Sequence, residues 1–463
     1  MQDLKHLSRR KRRIGTGIFN FGHPAATNSR TGTTPAPRLR LRLPAGNYRK
    51  HLKRILLTLA VALAALPLSI LIVRKTAPVL KDVVSRLSSP SAGTPAAAEA
   101  SRKPPAGSFE AAYTLLDQAA GPPDQLTART LEGELLHYTI RGNLQQRVHD
   151  VLARYQVPYG AFVAVEPATG RILAMTAYSA ADPAWARSAC FDLYPMASLF
   201  KIVTASAALE QRKITPDTVI EFRGKATSEN PRYWEVSPRG RNNRTDLTHA
   251  MGKSINPVYG RVASDIAGRT SLMESVNRFG FNQQLLPGTT AKASTAAEPQ
   301  GNHGLMLMGA GLDHEVKISP LHAAVMMAAI ANGGRMMAPA LTDRVVDRKG
   351  NPREQFAPRE IRNLVTPETA ASLTRMLSST VTSGTSRRAF NDRRGRPRLD
   401  VDVAAKTGSI DGKDPRGHYS WFAAFAPARN PKIALVALVI NQDKWRIKSS
   451  QVGEMALEEF FEN

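Results

Sequence analysis

Ser198 and Lys201 stand three residues apart in YPMASLFK, inside an apolar run that reads as a helix over 198–209. Helical residues at that spacing share a face, so the amine can reach the hydroxyl and take its proton. Ser254-Ile255-Asn256 supplies a second hydroxyl and an amide. Lys406-Thr407-Gly408-Ser409, at the end of an expected strand, offers an amine, hydroxyls and backbone N–H groups to an extended anionic ligand. Together these are a nucleophile, its base, a proton relay and a carboxylate site, the parts that serine acyl transfer needs.

Each signal is weak on its own, and the chain supplies its own decoys. Ser8-Arg9-Arg10-Lys11 repeats the serine–lysine spacing within a basic tail. Ser228-Glu229-Asn230 lies in a Ser-Glu-Asn-Pro turn, and Ser275-Val276-Asn277 lies inside a helix that Gly280 terminates. Only the Lys-Thr-Gly is unique. What carries weight is the ordered trio Ser198, Ser254, Lys406 within a suitable frame of strands and helices.

That frame has strands at both ends of the folded region. Residues 160–166 and 171–178 are apolar runs separated by a Pro-Ala-Thr-Gly turn, the pattern of a hairpin. Strands are expected again at 401–409, 419–426 and 432–440, the last two joined by Pro-Ala-Arg-Asn-Pro. Between them, 246–335 reads as mostly helical, and Thr366-Pro367-Glu368 opens a further helix. Helices are also expected at 108–119, 143–154 and 451–461, the second with Leu144, Val148, Val151 and Leu152 on one face. One sheet assembled from both ends and packed by helices makes an α/β domain.

The net charge of +25 is concentrated at the start of the chain. Residues 1–54 hold fourteen Lys or Arg and one acid, Asp3. The uncharged run 55–73 is long enough to cross a bilayer as a helix, and the cationic flank before it leaves the N-terminus in the cytoplasm. A cleaved secretory signal is the rival reading, but Val73-Arg74-Lys75-Thr76 lacks an A-x-A site. The Arg9–Arg13 cluster beside such an anchor suits anionic lipid headgroups better than nucleic acid. Residues 74–107, rich in Ser, Pro, Ala and Gly from 88 onward, form an extracytoplasmic linker, and 108–463 the exported domain with its core at about 138–463. The single cysteine, Cys190, excludes an intramolecular disulfide and reads as a small buried hydrophobe. No H-E-x-x-H and no cysteine pair is present, so neither a metal nor another cofactor is expected.

From about Tyr138 onward the chain resembles the penicillin-binding protein family. The likeness rests on the trio and on GAFVAVEPATGRILAM, YPMASLFKIVTASAALE, DLTHAMGKSINPVYGRVA, VTSGTSRRAF and AAKTGS followed by SWFAAFAP. It implies a five-stranded antiparallel sheet flanked by helices, a helical subdomain, and a peptidoglycan D,D-transpeptidase acting on D-Ala-D-Ala stem peptides and binding β-lactams. By matching position, Ser198 is the acylated nucleophile, Lys201 its base and Ser254 the relay to the leaving D-alanine. Asn256 holds the substrate amide, and Lys406 and Thr407 bind its terminal carboxylate. Gly408 allows close approach, and the N–H groups of Ser198 and Ser409 form the oxyanion hole. The step of 125 positions from Val73 to Ser198 leaves no room for a glycosyltransferase domain or a large pedestal. A D,D-carboxypeptidase or β-lactamase uses the same trio with water as acceptor, and a β-lactam sensor or inactive scaffold for other wall-synthesis proteins is the non-enzymatic alternative. The basic stretch 387–398 reads as a solvated loop, with contact to anionic wall polymers as the sharper reading.

Overall fold

The computed structural model describes residues 105–462 except 287. The basic tail, the candidate anchor at 55–73 and the linker up to residue 104 lie outside the described residues. Among the described residues no helix is long and apolar enough to cross a membrane.

Five strands form the central sheet: β1 (Tyr159–Val165), β2 (Ile172–Tyr178), β3 (Ala404–Lys413), β4 (Arg416–Ala426) and β5 (Ile433–Asn441). Their order is β3-β4-β5-β1-β2, and every neighbouring pair is antiparallel. The sheet is thus built from both ends of the domain, as the sequence pattern predicts, and β3 is an edge. Alternation along the strands divides two cores. Tyr419, Trp421, Ala423 and Phe425 of β4 join one cluster with the helices that carry the site, while Phe422, Ala424 and Ala426 join the other. Because helices cover both faces, β5 is buried at all nine positions and its sequence is apolar up to Ile440.

The second core is closed by α1 (Gly142–Arg154), which buries the expected Leu144, Val148, Val151 and Leu152, and by α8 (Ser449–Glu462). On the first face lie α2 (Lys201–Glu210), α3 (Leu247–Lys253), α4 (Asn256–Arg261), α5 (Gly301–Ala310), α6 (Pro320–Ala331) and α7 (Pro367–Thr382). Helix α6 is buried from Pro320 to Ile330, which accounts for its apolar residues on every side. Helix α7 starts as its sequence indicates: Thr366 caps it, Pro367 enters at the first turn, and Glu368 lies near the positive end.

Three features differ from the sequence reading. The strand expected over 401–409 begins at Ala404 and runs to Lys413, and its partner begins at Arg416. Polar residues such as Asp411, Lys413 and Arg416 continue the hairpin past its apolar part, because the pairing there is with each other. Helix over 198–209 is correct only from Lys201, since Ala197–Phe200 forms a tighter 3₁₀ turn. Short strands at Thr127–Arg129, Leu135–Tyr138, Thr342–Val346 and Pro352–Gln355 make a separate four-stranded sheet. Pro352–Gln355 is almost wholly exposed and carries no apolar alternation to announce it.

The basic stretch 387–398 is a short helix, Arg387–Phe390, followed by a turn closed by a bridge between Asn391 and Pro397. Asp392 accepts hydrogen bonds from the backbone N–H groups of Arg394 and Arg396 at 2.8 and 2.9 Å, while Phe390 stacks on Phe422. Its six arginines are exposed.

Candidate active site

Ser198 sits on a turn held between two glycines. Ala197, immediately before it, has φ +52°, a left-handed conformation that costs a residue with a side chain about 1–3 kcal/mol. A Cβ on Gly311 would lie 2.2 Å from the Ala197 carbonyl oxygen, and one on Gly408 would lie 3.2 Å from the Ala197 Cβ. The bare backbones of Gly311 and Gly408 therefore make room for the turn. Within the protein, Gly408 closely approaches the segment Met196–Ala197 and the Trp421 side chain. Trp421 in turn donates from Nε1 to the Pro195 carbonyl at 2.9 Å, tying β4 to the same segment.

Lys201 is fully buried on the first turn of α2. Its Nζ lies 2.6 Å from Ser198 Oγ, 2.7 Å from Asn256 Oδ1 and 2.7 Å from the Ala310 carbonyl at the end of α5. Burial, and then the positive charge of Lys406, push its pKa well below the usual lysine value. A neutral amine has two protons and one lone pair. Since Asn256 Oδ1 and the Ala310 carbonyl can only accept, they take both protons and leave the lone pair facing the Ser198 hydroxyl. The geometry thus orients Lys201 as a base. Asn256 is itself fixed, with its Nδ2 donating to the Ser228 carbonyl at 3.3 Å.

Ser254 ends helix α3 in the left-handed conformation, φ 55° and ψ 46°. Its hydroxyl accepts from Lys406 Nζ at 2.8 Å, and Lys406 also donates to the Thr407 carbonyl at 2.8 Å. Lys406 is fully buried, and burial brings its pKa down to about 7. Two hydrogen-bonded groups thus form: Ser198 with Lys201 and Asn256, and Ser254 with Lys406 and Thr407. Among the described residues neither lysine has a carboxylate partner within ion-pair distance. Ser254 bonds to Lys406 rather than to Ser198 or Lys201. On the edge strand, Ser409 is exposed, pairing across the sheet with Ser420.

Sequence reasoning missed three contributors. The Ala310 carbonyl and the Ser228 carbonyl hold Lys201 and Asn256, and Thr385 Oγ1 lies 2.6 Å from Thr407 Oγ1. Ser228 is no nucleophile, since its hydroxyl accepts from Trp234 Nε1 at 3.0 Å, yet its backbone supports the site. VTSGTSRRAF, part of the resemblance, includes Thr385, but no local pattern gives any of the three its role, because each acts across a long stretch of chain. Of the other decoys, Ser275 is buried within its helix, and Ser8 lies outside the described residues. A further serine–base pair, Ser294 Oγ with His322 Nδ1 at 2.6 Å, is buried. His322 Nε2 lies 2.9 Å from the Phe279 carbonyl, and burial pushes the imidazole down to about 4, so this pair is a neutral internal brace. Burial likewise pushes the Cys190 thiol up to about 12, consistent with a packing role.

The family model for the penicillin binding protein transpeptidase domain matches residues 160–460, which include all the residues just described. The chain belongs to that family. It is a serine-type transpeptidase. The peptidoglycan D,D-transpeptidase PbpA of Mycobacterium tuberculosis is 28% identical over 355 residues, covering 69% of this chain and 70% of PbpA. PbpA of Mycolicibacterium smegmatis is also 28% identical, over 68% and 69% of the two chains. Among solved structures, the penicillin G acyl-enzyme complex of penicillin-binding protein A from M. tuberculosis superposes with a TM-score of 0.57 and 25% identity, over 70% of this transpeptidase and 80% of that chain. The D,D-transpeptidase domain of a peptidoglycan glycosyltransferase from Eggerthella lenta gives 0.61 at 25% identity, over 78% and 92%.

Proposed function

We propose that this transpeptidase is a membrane-anchored peptidoglycan D,D-transpeptidase that uses Ser198 to form an acyl-enzyme with D-Ala-D-Ala stem peptides and with β-lactams. The observation that carries this reading is Lys201 Nζ, 2.6 Å from Ser198 Oγ and held there by two groups that can only accept. Ser198 Oγ attacks the carbonyl of the penultimate D-alanine, and its proton passes to Lys201. The N–H groups of Ser198 and Ser409 hold the oxyanion, a contribution usually worth about 3–4 kcal/mol per donor. As the C–N bond breaks, the departing D-alanine amine takes a proton through Ser254, which Lys406 orients. An acceptor amine then attacks the ester, forms the cross-link and frees Ser198. Asn256 holds the donor's amide, and Lys406 and Thr407 receive its terminal carboxylate. Edge strand β3 suits an extended peptide lying alongside it.

The roles of the two lysines separate by experiment. Truncating one partner of a buried charge pair costs about 2–5 kcal/mol, and that cost vanishes when the ligand lacks its charge. Lys406→Ala is therefore expected to slow acylation strongly for a carboxylate-bearing donor and much less for a matched donor without it. Measuring kcat/KM for both enzymes with both donors checks this. Equal losses for both donors would leave Lys406 no carboxylate role.

The run 55–73 and its cationic flank support a single-pass anchor in the cytoplasmic membrane with residues 108–463 in the periplasm or its equivalent. Protease added to spheroplasts is expected to remove a C-terminal epitope and spare one in residues 1–54. The opposite pattern would reverse the orientation. Peptidoglycan stem peptides, the membrane and other wall-synthesis proteins are the partners this arrangement implies. A long-lived penicillin adduct with D-amino-acid exchange into stem peptides tests the transpeptidase against a hydrolase, which would release the drug within minutes.

A further inference from the structure

Thr385 occupies a junction between three parts of the site. Its backbone N–H donates to the Gly252 carbonyl at 3.0 Å, which fastens it to the last turn of α3, just before Ser254. The next residue, Ser386, donates from its backbone N–H to the Thr380 carbonyl of α7 at 3.0 Å. Gly384 permits the approach, since a Cβ there would lie 2.2 Å from the Gly252 carbonyl oxygen. From this fixed position the Thr385 hydroxyl reaches Thr407 on β3 at 2.6 Å, while the residue remains exposed on the site's outer side.

Each hydroxyl has one proton to give. If Thr407 spends its proton on Thr385, it presents only lone pairs to an incoming carboxylate, which itself can only accept. If Thr385 donates to Thr407, the Thr407 proton is free to point at the ligand. Lys406 has two of its three N–H groups directed at Ser254 and the Thr407 carbonyl, so it brings at most one hydrogen bond to the carboxylate, beside the one from Thr407.

We propose that Thr385 is a positioning residue that donates its hydroxyl proton to Thr407 Oγ1, held there by its backbone bond to Gly252, and so keeps the Thr407 proton directed at the carboxylate of the acyl donor. This rests on the proposed carboxylate role of Thr407, and the test keeps the two apart. Acylation of the full chain in detergent micelles is followed with benzylpenicillin and with its methyl ester, comparing each variant with wild type. Thr385→Val is expected to slow acylation by benzylpenicillin about tenfold, the scale of one charge-assisted hydrogen bond, and to change the ester rate less than about twofold. Thr385→Ser is expected to restore the wild-type rate for both donors. Thr407→Val is expected to show a larger loss with the same donor preference, and adding Thr385→Val to it should cost little more, because the two side chains act through one bond.

A Thr407→Val loss equal for both donors would overturn the carboxylate reading, and the inference with it. A carboxylate-dependent loss in Thr407→Val without one in Thr385→Val would overturn the positioning role alone. Equal losses for both donors in Thr385→Val, losses that Thr385→Ser does not repair, or full additivity in the double variant would each reduce Thr385 to a structural loop residue. Thr385→Ala, which removes the hydroxyl with less added apolar surface, gives the same comparison should the valine variant fold poorly.

Discussion

Ser198→Ala is expected to abolish covalent labelling by penicillin while leaving the protein folded. The ester bond to the drug needs the Ser198 oxygen, and no second nucleophile stands ready in the site. Ser254 bonds to Lys406, Asn256 holds Lys201, and the buried Ser294 is tied to a neutral His322. The hydroxyl contributes one hydrogen bond, so its loss should move stability by only about 1 kcal/mol. Labelling of the variant with radioactive or fluorescent penicillin, alongside a thermal melt, reads both parts. Ser8→Ala, in the decoy motif, should label like wild type. Persistent labelling of Ser198→Ala would remove Ser198 from the chemistry.

Lys201→Met is expected to lower the acylation rate by about 10²–10⁴-fold, the usual contribution of a positioned general base. Methionine keeps much of the volume of the buried chain and removes only the amine. The variant also leaves Asn256 Oδ1 and the Ala310 carbonyl without their donor, a destabilisation on the order of 1–3 kcal/mol for each orphaned group. The rate loss should therefore persist at temperatures where the variant is fully folded. Unlike Lys406→Ala, it should fall equally on donors with and without a carboxylate, because the Ser198 proton must leave in either case. The pH profile carries a further signature. Neutral Lys201 is the active form, so acylation should fall as pH drops through its lowered pKa. Lys406 is one of the two causes of that lowering, and removing its charge lets the Lys201 pKa rise. The acid limb should then move to higher pH in Lys406→Ala. A wild-type rate in Lys201→Met would exclude the amine as base.

The elements that carry the site are legible in the sequence where burial imposes a pattern. The apolar runs within β4 and β5 and the stripe of α1 follow from which faces meet a core, and the start of α7 follows from its capping residues. The three motifs were also legible, and the fold brings Ser198 to Lys201 and Ser254 to Lys406. What stays hidden depends on contacts across the chain. Nothing local tells that Ala197 must turn left-handed, because alanine has no preference for that conformation. It is held there between Gly311 and Gly408, which lie far along the sequence. The same holds for the Ala310 carbonyl that orients Lys201 and for Thr385 beside Thr407, since a carbonyl leaves no mark on the sequence and the segment VTSGTSRRAF does not tell which residue Thr385 meets. The outer sheet was missed for a different reason, as its strands are short and partly solvated.

If Ser198 forms an ester with Lys201 as base, the site of the adduct identifies the nucleophile. Wild-type protein is incubated with fluorescent penicillin, digested, and the labelled peptide sequenced by mass spectrometry. One adduct is expected, on the peptide carrying YPMASLFK, with the added mass on Ser198. An adduct on Ser254, Ser294 or any other residue, or none under conditions where the protein is folded, would contradict it.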